Sequence, residues 1–118
     1  MAAVNLASVT TMTGYLLTGD LTTTGATDLL TVASSDAYKI EAIFLCNNDT
    51  SNTCTATLEL SADGSNFNFL AKSLVIPPAT TISIIDRPIF LDETDLIRGL
   101  ASANGDIDYV ISGTFMTD

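Results

Sequence analysis

The chain has 118 residues, 47% hydrophobic and only 15% charged, with a net charge of −10 and no histidine. One domain of this length can bury a core without metal or disulfide support. Its four cations, Lys39, Lys72, Arg87 and Arg98, are scattered among fourteen acids, so neither a nucleic-acid nor a membrane partner is expected.

Residues 1–13 are small and polar with isolated apolar positions, Val4, Leu6, Val9 and Met12. They are expected to form an extended arm, with residues 14–118 as the single folded domain. The opening residues have no basic stretch and no apolar block after it, so no secretory leader is expected. Nor does any apolar run reach the length of a membrane-spanning helix.

Tyr15 to Thr23 and Thr27 to Ala33 read as the first two strands, joined at Gly25. Next, Tyr38, Ile40, Ala42, Phe44 and Cys46 alternate with Lys39, Glu41, Ile43 and Leu45, which predicts a strand with one fully apolar face. Asn47 to Thr53 is a polar loop. Cys54, Ala56, Leu58 and Leu60 alternate with Thr55, Thr57, Glu59 and Ser61, the pattern of a half-buried strand. Asp63-Gly64 marks a tight turn, followed by a strand over Asn66 to Lys72. Pro77 and Pro78 lack the N–H a ladder needs and end that run. Short strands follow at Thr81 to Ile85 and Pro88 to Leu91, then an acidic turn and a strand over Leu96 to Ala103. A turn at Asn104-Gly105-Asp106 leads to a last strand over Ile107 to Met116, with Ile107, Tyr109, Ile111 and Phe115 on one face. About eight short strands with short connections predict an all-β antiparallel sandwich or jelly roll, because two apolar sheet faces must cover one another.

Enzymatic chemistry has little to stand on. Without histidine no Ser-His-Asp or Cys-His site exists, and neither a phosphate-cradling loop nor a nucleophile elbow occurs. No cofactor and no metal are expected. Cys46 and Cys54 flank a polar loop and could face each other across a hairpin, but two buried free thiols are the favoured reading in a cytosol. Asp92, Glu93 and Asp95 read as solvated turn acids. Phe67 and Phe69 share one strand face with Asn66 and Asn68 between them; an inward, core-forming face is favoured over a sugar platform.

The second half carries a resemblance. Cys46-Asn47 closes a central strand. Leu58-Glu59-Leu60-Ser61-Ala62-Asp63-Gly64 leads to Phe69-Leu70-Ala71-Lys72, then Val75-Ile76-Pro77-Pro78-Ala79-Thr80-Thr81, Ile85-Asp86-Arg87-Pro88-Ile89-Phe90-Leu91 and Asp95-Leu96-Ile97-Arg98. Residues 36–115 thus resemble small virion structural proteins of tailed bacteriophages. The resemblance implies a β-sandwich building block of a head surface, neck or tail. It would be made in the host cytoplasm and kept in the virion, most simply as a decoration (cement) protein. Its partners would be other copies of itself and virion proteins such as the major capsid protein. The candidate contact residues are Val4, Leu6, Val9, Tyr15, Leu16 and Leu17, in and beside the arm. A carbohydrate-binding or adhesin-type sandwich is the alternative.

Overall fold

The computed structural model describes residues 5–23 and 25–118. Nine strands make two antiparallel sheets: β1 Thr11–Asp20, β2 Thr27–Thr31, β3 Asp36–Asn47, β4 Cys54–Ser61, β5 Phe67–Ile76, β6 Thr81–Ser83, β7 Ile89–Leu91, β8 Leu96–Ala101 and β9 Ile107–Thr117. The first sheet runs β1-β9-β3-β6, with β7 also on β3; the second runs β2-β8-β4-β5. The sandwich expected from the alternation is therefore the fold, with nine strands.

The core is the set of inward residues of both sheets. Ile40, Ile43, Leu45, Ile107 and Ile111 from the first sheet meet Leu58, Ile76, Ile97, Ala56 and Ala101 from the second, all essentially without solvent contact. Such close-packed aliphatic layers supply the main stabilisation, at about 25 cal/mol per Å2 of apolar surface removed from water.

Strand β3 departs from strict alternation. Its register against β9 slips between Ile40 and Ala42, so Glu41 is an extra residue and the side-chain phase reverses there. Tyr38 and Ile40 face inward before the bulge; Ile43, Leu45 and Asn47 face inward after it. Ala42, Phe44 and Cys46, expected to share a face with Ile40, point outward instead. Gly113, opposite Ile40, makes the bulge possible: a Cβ there would collide with the Lys39 carbonyl oxygen and lie 2.9 Å from its carbon.

A single 3-10 turn forms at Leu6–Ser8, capped by the Asn5 side chain, which accepts from Ala7 N–H at 3.0 Å. Ser8 bonds the Asp118 carboxylate at 3.3 Å, and Thr10 N–H donates to the Thr117 carbonyl. Thr11, Met12 and Thr13 already belong to β1, paired with Thr117, Met116 and Phe115. Backbone pairing, which needs no large side chains, ties these residues down.

Asn47 is fully buried and satisfied. Its amide donates to the carbonyls of Asn52 (2.9 Å) and Ile76 (3.0 Å), and its oxygen accepts from Asp49 N–H. It fastens the loop that carries the chain from the first sheet to the second.

Candidate assembly face

Seven large apolar side chains are exposed among the described residues, and they are not spread evenly. Register places Met12 and Leu16 of β1, Phe44 of β3 and Phe90 of β7 on the outer face of the first sheet, the side opposite Tyr15, Leu17, Ile43 and Leu91. Leu16 is 68% exposed, Met12 67% and Phe90 58%. Leu6 joins them: with Ala37, Phe90, Leu91 and Asp92 it lines a hollow of about 170 Å3. Ala37 and Met116 belong to the same outer face yet are buried. The Leu6 turn, beside Ala37, lies over that end of the sheet.

Charge is sparse on this surface. Lys39 and Glu41 form an exposed ion pair at 3.5 Å, brought side by side by the bulge, and an exposed pair of this kind adds little stability. β1, β9 and β3, 10–12 residues long and about 4.8 Å apart, with the three-residue β6 and β7 alongside, cover roughly 600 Å2, at the lower end of the roughly 600–1,000 Å2 that each partner gives to a standard protein interface.

Of the residues proposed from sequence, Leu6 and Leu16 lie on this face and Val9 is half-buried beside it. Val4 lies outside the described residues. Tyr15 and Leu17 turn the other way and pack against the core; β1 has two faces, and only its even-numbered residues point outward. Tyr15 meets Tyr38 edge-on at 4.8 Å, and Tyr38 meets Phe115 at 5.0 Å. Burial first, then Tyr38 and Tyr109, push the Tyr15 hydroxyl up to about 12. Phe44 and Phe90 were not singled out from sequence: the bulge hid the orientation of the first, and the three-residue strand of the second is too short to show a period.

The two cysteines stand free, Cys54 in the core and Cys46 half-buried. No hairpin joins them, because β3 and β4 belong to different sheets. The acidic turn is more than solvated charge. Asp95 is buried; one of its oxygens accepts from Asp92 N–H at 2.8 Å, and burial raises its pKa above the ordinary carboxylate value. Glu93 accepts from Ser35 N–H at 3.0 Å. Among the described residues no group of three or more potential ligands converges to hold a metal ion.

Phe67 and Phe69 are not core residues. Both project from the outer face of the second sheet, Phe69 52% exposed. The Arg98 guanidinium lies 3.3 Å from the Phe67 ring centre and pairs with Glu59; the Lys72 ammonium lies 5.1 Å from the Phe69 ring centre. Cation–π contacts hold these rings outside. The inward reading failed because core-facing Leu70 and Leu74, not the phenylalanines, set the buried phase of β5.

No family model matches the chain, and neither the curated proteins nor the solved structures contain a match.

Proposed function

We propose that this protein is a structural assembly module of a tailed-phage particle, acting by docking the outer face of its first sheet onto a larger protein surface. One observation carries the reading: Leu6, Met12, Leu16, Phe44 and Phe90 gather on one side of a body of net charge −10, and the charged side chains that the strands of this face turn outward are Asp20, Lys39, Glu41 and Asp108. An apolar surface of this extent in water is a liability unless a partner covers it. The acidic remainder keeps free copies soluble and apart until the partner is met. Catalysis has no part in this reading; the protein would add contact area that must be broken before the particle opens. The resemblance to virion proteins supplies the phage context, and a head-decoration role comes first among the head, neck and tail positions it leaves open.

The glycan-binding alternative is served less well. A sugar platform needs an open aromatic face, and Arg98 covers Phe67 while Lys72 approaches Phe69.

The test uses virions produced without this chain. Purified wild-type protein is expected to co-sediment with them to a fixed, saturable stoichiometry, while F44K/F90K stays in the supernatant although its thermal midpoint is unchanged. Equal recovery of both proteins would refute the assigned face, and no recovery of either would refute the virion role.

A further inference from the structure

The four sheet edges are unequal. β2 has five residues and a register slip between Asp28 and Leu30. β5 slips twice against β4 and turns through Ser73 at φ 49°. β6 and β7 have three residues each. β1 alone is long and unbroken, paired with β9 in one register from Thr11↔Thr117 to Asp20↔Asp108. Natural edge strands are blunted by lysine, proline, bulges or brevity, and β1 has none of these. Asn5 to Gly19 contains no charged side chain and no proline.

From this we infer that β1 is a homotypic edge: two copies of the chain pair their β1 strands antiparallel about a twofold axis at Leu16, joining their first sheets into one. The inference rests on the assembly reading above and adds how copies of the chain meet.

Hydrogen-bond phase fixes the geometry. Leu21 N–H donates to the Ile107 carbonyl at 2.8 Å, continuing the β1–β9 register. The odd-numbered residues of β1 therefore aim their backbone groups at β9, and Met12, Gly14, Leu16, Thr18 and Asp20 aim theirs at the open side. With Leu16 opposite its own copy, Gly14 meets Thr18 and Met12 meets Asp20, so all five outward-aimed residues find partners. Opposed residues also share a face, as sheet pairing demands. An axis at Tyr15 would leave Asp20 opposite Thr10, outside the strand.

Area and charge favour a second copy as the occupant. The wall is about 34 Å long, and the body is 20 Å across its shortest axis. Two such walls bury up to about 1,300 Å2, within the range of specific interfaces. Two bodies of charge −10 approach best where charge is sparse: Asn5 to Gly19 carries none, and Asp20, at the end of β1, falls opposite Met12 of the other copy and not opposite another acid. The association closes at two, because the far edge, the short β6 and β7, offers no continuous ladder. It also sets two apolar outer faces side by side for docking.

Light scattering of the purified chain, without particles, reads the inference directly. Wild type is expected to reach twice the chain mass of 12.4 kDa at micromolar concentration. G14P removes an N–H from the open side only, at a position where an added Cβ meets nothing within 4 Å. Together with L16K it is expected to raise the dissociation constant at least about 100-fold, with unchanged circular dichroism. L16C is expected to form a covalent dimer on mild oxidation, because the Cα separation of a hydrogen-bonded antiparallel pair is about 5.5 Å. T18C, facing Gly14 of the other copy, is expected not to. Should G14P fail to fold, L16K and the two cysteine variants still decide. Wild type remaining at 12.4 kDa at millimolar concentration, or L16K remaining dimeric, would overturn the inference. F44K/F90K, on strands remote from β1, is expected to dimerise normally while losing particle docking, so the two readings fail separately.

Discussion

Gly113→Ala is the sharpest test of the framework that presents the outer face. The added methyl would collide with the Lys39 carbonyl oxygen and lie 2.9 Å from its carbon and 3.0 Å from Ile40 Cα. Carbon atoms in contact sit about 3.5–4.0 Å apart, and every obstacle here is backbone. No side chain can rotate away; β3 and β9 must separate at the bulge, in the longest ladder of the first sheet. Overpacking a core costs typically 1–3 kcal/mol when side chains can yield, so about 4 kcal/mol or more is expected here, among the largest effects of single substitutions. For a domain of this size that lowers the thermal midpoint by roughly 15 °C. Gly14→Ala is the matched control: a Cβ there meets nothing within 4 Å, and the substitution should be neutral or stabilise by up to about 1 kcal/mol through the unfolded chain. Urea titration followed by circular dichroism gives both values. A Gly113→Ala protein within about 1 kcal/mol of wild type would refute the bulge account.

Two further expectations follow from polar groups. The Asp63 carboxylate accepts from Asn66 N–H, the Asn66 amide and Ser65 N–H, and these bonds hold it well below the ordinary value of 3.8; Asp49 is lowered likewise by Ser51 and Asn52. Their stabilisation is fully present above pH 3.8 and is lost as pH falls through the lowered values, so the urea midpoint should drop between pH 4 and 2, and less steeply in Asp63→Asn. Asp95, raised by burial, acts in the opposite sense: ionising it costs stability as pH rises past 3.8. Asn47→Ala deletes two donated bonds and one accepted bond at a buried site and should cost about 2–4 kcal/mol; a chemical denaturation series checks it, and a loss under 1 kcal/mol would show that the loop holds without this pin.

Most strand positions were legible because punctuation and alternation agree. Asp63-Gly64, Pro77-Pro78 and Asn104-Gly105 sit where chain direction changes, and Cys54 to Ser61 keeps a strict period of two. Orientation was less legible. A bulge inserts one residue without any compositional mark, so the apolar residues of β3 after Glu41 read as covered on both faces, and the outward Phe44 was missed. Phe67 and Phe69 misled for another reason. Phe67 packs under Arg98, some thirty residues along the chain and two strands away, which one strand read alone cannot reveal; Phe69 meets Lys72 of its own strand. Long-range pairing was the third hidden quantity: β1 binds β9, and neither segment names its partner.

That last pairing has a consequence for synthesis. β9 lies between β1 and β3, so the first sheet lacks its central strand until residue 117 has emerged from the ribosome. β1, made well before β9, must wait for it with both of its edges bare. Contacts this distant along the chain form slowly, and nascent chains crowded on one message would have β1 strands available to each other before any of them is closed.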